Sequence, residues 1–136
     1  MSVLVDTSIW SKVLRRRANG GRSPLAVELA SLIQDGRVIM IGAIRQEILS
    51  GIKERAQFER LREHLRAFPD SQVTTADHEE AAQHFNRCRQ KGLQGSNTDF
   101  LICAMATRHE YSIFTDDNDF RHFAKVVPIR LHRHER

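Results

Sequence analysis

Residues 97–120 constrain this chain more than any other stretch. Asp99 opens an apolar helical run, Phe100-Leu101-Ile102-Cys103-Ala104-Met105-Ala106. A short apolar segment, Ser112-Ile113-Phe114-Thr115, follows and ends in Asp116-Asp117-Asn118-Asp119. The pattern reads as a helix, a buried strand, and a crowd of carboxylates where the strand ends. In an open α/β sheet, ligands bind outside the carboxyl ends of the strands. Carboxylates gathered there repel one another, and a hard divalent cation with oxygen ligands is the usual reason for holding them together.

The rest of the chain repeats this alternation. Val3-Leu4-Val5 is a continuous apolar run of the kind buried on both faces of a parallel sheet. It ends at Asp6-Thr7-Ser8, a string of helix-capping residues, after which Ile9, Trp10, Val13 and Leu14 follow helical spacing. Residues 15–22 read as a basic, Gly-containing loop whose arginines are candidate phosphate contacts. Ser23-Pro24 is a cap followed by proline at the first helical position. The helix that follows stops at Asp35-Gly36, and Val38-Ile39-Met40-Ile41 forms a second strand. A helix from about Ala43 carries Ile44, Ile48 and Glu47, and an amphipathic stripe of Phe58, Leu61, Leu65 and Phe68 ends at Pro69. Val73 marks a minor strand. Thr75 or Asp77 caps the next helix, through about Arg89, and Asn97 or Thr98 caps the Asp99 helix. A short helix holds Phe120 and Phe123. Val126-Val127-Pro128-Ile129 is an edge strand in which proline is tolerated, and the tail from Arg130 is expected to fray. No internal repeat or linker divides residues 1–136, so the expectation is one domain. Strands alternating with helices give an α/β/α sandwich around a parallel sheet.

Composition narrows the function classes. No apolar run approaches the roughly 18 residues that span a bilayer. The amino terminus lacks a basic and apolar leader pattern, and Cys88 and Cys103 show no metal or disulfide spacing, which points to a cytoplasmic protein with reduced thiols. The seven histidines include no HExxH and no zinc spacing, and neither GxxxxGK[ST], GxGxxG nor GxSxG occurs. The formal net charge is +4. Withdrawing five acids into one site leaves a strongly basic remainder, a charge pattern suited to phosphate attracted towards a metal-holding pit.

Each acid also has a structural explanation: Asp6 as a helix cap, Glu47 on a solvated helix face, Asp99 in a first turn favoured by the helix dipole, and residues 116–119 as a turn and cap. Their combination is more telling, because a parallel sheet brings all of them to one rim. The arrangement resembles the PIN-domain nucleases, and within them the toxin subunits of VapBC-type bacterial toxin–antitoxin pairs. The resemblance rests on Val5-Asp6-Thr7-Ser8-Ile9-Trp10, on Ile44-Arg45-Gln46-Glu47-Ile48, on Thr98-Asp99-Phe100-Leu101-Ile102-Cys103-Ala104 and on Thr115-Asp116-Asp117-Asn118-Asp119-Phe120.

The resemblance implies a PIN-like three-layer α/β/α sandwich with a central parallel sheet of four to five strands. It implies a metal-dependent endoribonuclease whose acidic quartet is Asp6, Glu47, Asp99 and Asp117. Asp6, Asp99 and Asp117 would bind Mg²⁺ or Mn²⁺ directly, with Glu47 and Asp119 acting through water or positioning the nucleophile. Ser8 and Thr115 would support them from behind. The x-Asp-x-Asp-Phe pattern selects 117 and 119 over 116. The implied partners are an RNA substrate, a cognate antitoxin protein and a second copy in a homodimer. Two rival readings are a non-catalytic PIN-like module that binds RNA or protein, and a receiver-type phosphoacceptor. The receiver type needs a lysine near a later strand end, where Lys125 is poorly placed, and gives Asp99 no role.

Overall fold

The sheet grows from the most apolar triplets of the chain. In the computed structural model, which describes residues 1–16 and 23–133, Val3, Leu4, Val5, Ile113 and Phe114 are all fully buried. Successive strand side chains point to opposite faces, so a strand buried at every position is covered on both. Strand β1 (Val3–Val5) is central and pairs in parallel with β2 (Val38–Ile39) and with β3 (Ser112–Phe114). Leu4 sits opposite Ile39 on one side and Ile113 on the other. Val5 faces Phe114, so β1 and β3 end at the same level.

Helices cover this sheet: α1 (Thr7–Arg16), α2 (Pro24–Gln34), α3 (Gly42–Leu49), α4 (Arg55–Leu65), α5 (Thr75–Gln90), α6 (Asn97–His109) and α7 (Asp119–Phe123). Helix α6 packs against β3 and along α5, while α1 packs on α2 and α3. Residues 100–106 of α6 are all buried, as expected for a helix apolar on every side. Ser23 caps α2 through the Ala26 amide, with Pro24 in the first turn. Helix α1 runs through Arg16, a little further than its apolar spacing indicated, and the remainder of the expected basic loop, residues 17–22, lies outside the described residues. Among the described residues, no helix is long and apolar enough to cross a membrane.

The architecture is the PIN-like α/β arrangement, with three strands among the described residues rather than four to five. The two outer segments each contribute a single parallel bridge, Met40 to Asp70 and Ile113 to Leu131. Val73 forms no strand. The edge strand expected at residues 126–129 is also absent: the Val126 and Val127 amides both donate to the Phe123 carbonyl at 2.9 Å, finishing the turn after α7. Pairing with β3 comes later, where Ile113 donates to the Arg130 carbonyl at 2.9 Å and His132 donates to the Ile113 carbonyl at 2.7 Å. The tail is therefore tied to the sheet through His132 instead of fraying from Arg130.

Both helix caps of the α5–α6 pair lie one residue or more earlier than the sequence pattern indicated. Thr74 caps α5 and Ser96 caps α6, each in a capping box with an aspartate three residues on. A second feature beyond sequence reach is Arg45 of α3. Its guanidinium donates to the carbonyls of Leu65 and Phe68 and to Asp70 Oδ1, satisfying the orphan acceptors where α4 ends.

Candidate active site

Asp6 is the first residue past β1, and its backbone amide donates to the Phe114 carbonyl at 2.9 Å, extending the β1–β3 pairing by one step. Its carboxylate is 5 % exposed. One oxygen, Oδ2, accepts hydrogen bonds from the Ser8 hydroxyl at 2.7 Å and the Thr115 hydroxyl at 2.8 Å. Those hydroxyls are in turn acceptors: Asp116 N–H donates to Ser8 Oγ and Asp117 N–H to Thr115 Oγ1, both at 3.0 Å. Two relays thus run from adjacent backbone amides through hydroxyls to one carboxylate oxygen. Charge-assisted bonds of this kind hold a carboxylate firmly by one oxygen and leave the other without a hydrogen bond among the described residues.

Asp99 reaches the same place from α6. Its amide donates to Ser96 Oγ and its Oδ2 accepts from the Ser96 amide, both at 3.0 Å. Burial raises the Asp99 carboxyl above its ordinary pKa; the Ser96 bonds oppose that shift, and the negative charges of Asp6 and Asp117 add to it. Asp117 is partly buried after β3, and its Oδ1 accepts from the Asp119 amide at 2.9 Å.

Glu47 is exposed on α3 and joins the group through α1: the Thr7 hydroxyl donates to Glu47 Oε1 at 2.6 Å. Asp119 is exposed in the first turn of α7 and is linked to the site through its own amide. Asp116 is exposed and forms an ion pair with Lys12. The structure thus groups Asp6, Asp99 and Asp117, with Ser8 and Thr115 behind them and Glu47 at the side. The parts that sequence reasoning missed are Thr7, previously read only as a cap, and Lys12. The spacing of Ser8 and Lys12 by one helical turn was the available signal for the latter.

Each of Asp6, Asp99, Asp117 and Glu47 uses one carboxylate oxygen in a local bond and has a second with no hydrogen bond among the described residues. That donor set is all oxygen and suits Mg²⁺ or Mn²⁺. No group of three or more His, Cys, Asp or Glu among the described residues is disposed to hold a metal ion unaided. The two facts are compatible, because Mg²⁺ commonly keeps several waters and takes only one or two carboxylates together with substrate phosphate. Beneath the site, burial pushes the Cys103 thiol far up, with nearby Cys88, Asp99 and Asp6 adding to the effect. It stays protonated, so no thiolate nucleophile is available there.

The PIN domain family model matches residues 3–126. Among solved structures, FitAcB from Neisseria gonorrhoeae is 20% identical, with 96% of each chain covered and a TM-score of 0.74. VapBC2 from Rickettsia felis, bound to a DNA fragment from its promoter, is 16% identical over 99% of this chain and 100% of that one, with a TM-score of 0.75. A toxin–antitoxin complex from Klebsiella pneumoniae is 20% identical over 88% and 90% of the two chains, with a TM-score of 0.61. No curated protein sequence matches significantly. At these identities the structures establish a shared fold, and the family model, spanning nearly the whole chain, places the protein in the PIN domain family.

Proposed function

We propose that this protein is a metal-dependent endoribonuclease that hydrolyses RNA phosphodiester bonds in the cytoplasm, a VapC-type toxin restrained by a cognate antitoxin. The observation that carries the reading is the hydrogen-bond network that joins Asp6 through Ser8 and Thr115 to the Asp116-Asp117 backbone at the carboxyl ends of β1 and β3, with Asp99 close enough to feel both charges. Three carboxylates placed where their charges oppose one another favour a cationic ligand over an empty rim. Similarity to a structure described as a toxin–antitoxin complex supports the partner.

In the mechanism, one or two of Asp6, Asp99 and Asp117 would hold the ion directly, with the remaining carboxylate, Glu47 and Asp119 acting through water. When bound, Mg²⁺ or Mn²⁺ would supply an activated water and offset charge at the phosphate. Ser8 and Thr115 fix the Asp6 carboxylate by its Oδ2, so the carboxylate needs no reorganisation as charge develops. Thr7 holds Glu47 by Oε1 in the same way, leaving Oε2 to orient a water. A single RNA strand fits such a rim because its backbone can be bent into it. An antitoxin would offer an arginine to the same carboxylates, whose planar donors match them bidentately.

The test is cleavage of total RNA by the purified chain with Mg²⁺, Mn²⁺ or EDTA. Metal-dependent cutting that is lost in Asp6→Asn, Asp99→Asn and Asp117→Asn is expected. Equal cutting by wild type and all three variants would sink the assignment. A non-catalytic RNA-binding module is the second reading, favoured by the net charge of +4. RNA retention without cleavage under every metal condition would identify it.

A further inference from the structure

We infer that the cleft between α7 and the segment 129–132 receives a nucleobase of the RNA strand beside the cut phosphate, an inference that rests on the ribonuclease reading above. The cleft has a volume of about 790 Å³, ample for a planar base and its sugar. One of its rims is Thr115, Asp116 and Asp117, so it opens directly from the carboxylate site. Leu25, Ile129 and Leu131 line it with apolar surface, and His132 lies among them with its ring edge-on to Phe114 at 5.4 Å.

The charges around the cleft are sorted by ion pairing. Asp116 is engaged by Lys12, and Glu28 by His132. Arg121 and Arg133, which also line the cleft, form no ion pair among the described residues. Two of the nearby acids, Asp116 and Glu28, are therefore occupied, Asp117 faces the cleft from the carboxylate site, and two guanidinium groups stay available beside it. A strand crossing this boundary sets one phosphate in the pit, the adjoining phosphate against Arg121, and the base between them in the apolar slot. Single-stranded RNA is read in this manner, with splayed bases laid on His, aromatic or Arg planes. The hydrogen bond between His132 and Glu28 of α2 fixes the ring, so the slot is built before the base arrives.

The experiment measures fluorescence anisotropy of a short single-stranded oligoribonucleotide on the full chain in EDTA, alongside copies of the same RNA made abasic at each position in turn. For wild type, one abasic position should weaken binding about tenfold, the order of one lost base stack. His132→Ala should erase that difference, and Arg121→Ala, at an exposed position, should weaken all the RNAs alike. His132→Gln keeps a hydrogen bond to Glu28 while removing the ring, so it tests the stack even if His132→Ala misfolds. Equal affinity for intact and every abasic RNA in wild type would overturn the pocket, as would a His132→Gln protein that still discriminates. Base-dependent binding without metal-dependent cleavage would overturn the nuclease reading alone. Cleavage with base-independent binding would overturn the pocket alone.

Discussion

Thr115 Oγ1 donates to Asp6 Oδ2 at 2.8 Å, joining residues 109 apart in the chain. The same hydroxyl accepts the Asp117 amide and lies 3.3 Å from Ser8 Oγ. Ser8 repeats the arrangement with the Asp116 amide. The β1–β3 register creates both relays, because Val5 opposite Phe114 puts Asp6 and Thr115 side by side.

Removing either hydroxyl should loosen the carboxylate without unfolding the sheet. Thr115→Val and Ser8→Ala are each expected to lower cleavage by about 10-fold or more, the range seen for groups that orient metal-binding side chains. The double variant should fall short of the product of the two, since both act on one oxygen. Initial rates on a defined RNA check this; wild-type rates in both single variants would remove the relays from the mechanism.

The Asp116-Asp117 doublet should split functionally. Asp117→Asn is expected to abolish cleavage, whereas Asp116→Asn loses only the ion pair to Lys12 and retains most of the activity. Exposed pairs of this kind contribute about 0–1 kcal/mol to stability, so the melting temperature should barely change. A dead Asp116→Asn protein would place the wrong aspartate in the pit.

Asp99 and Asp77 should respond oppositely to neutralisation. Burial acts to raise Asp77, but the Thr74 amide, Arg108, His109 and the Thr74 hydroxyl outweigh it and hold the carboxyl at about 2 against an ordinary 3.8. Its stabilisation is fully present above pH 3.8 and is lost as pH falls through about 2. Asp77→Asn should therefore cost about 2 kcal/mol at neutral pH, little of it at pH 2. Asp99 carries the reverse sign: its folded-state pKa is raised, so the ionised form is penalised once pH exceeds the unfolded value, and in full above the folded one. Asp99→Asn keeps an oxygen for the Ser96 amide and should stabilise the metal-free protein at pH 7.5. Mg²⁺ at a hundred times its Kd should stabilise wild type by about 2.7 kcal/mol and this variant by less. Melting curves in EDTA and in Mg²⁺ check both signs.

Gly95 precedes the Ser96 cap, and a Cβ there would lie 2.8 Å from Phe123 Cζ and 3.0 Å from Phe100 Cε2. These rings pack with centroids 4.9 Å apart, so neither has free space to move into. Gly95→Ala should destabilise the fold by about 1–3 kcal/mol, the usual cost of overpacking. Because the start of α6 would shift with it, cleavage should fall as well. Urea denaturation and RNA cleavage of the same preparation test the two effects.

The features legible in the chain alone are short-range. Val3-Leu4-Val5 followed by Asp6 is a buried strand ending in an acid, and the run after Asp99 is a helix apolar on all sides. Each is legible because strand and helix periodicity need only a few neighbouring residues. The small sheet was less legible: Val126 and Val127 look like a strand, but their amides close the turn after α7, and the pairing passes to Arg130 and His132. Tertiary structure also decided the surroundings of each acid. Thr74-Thr75-Ala76-Asp77 and Ser96-Asn97-Thr98-Asp99 form the same capping box at two helix starts, and locally they are equivalent. Packing sets Asp77 against Arg108 and His109, and Asp99 beside Asp6 and Asp117. The first carboxyl is driven down and the second up, because the energy of an ionised group depends on the charges near it in space, and the folded chain alone chooses those neighbours.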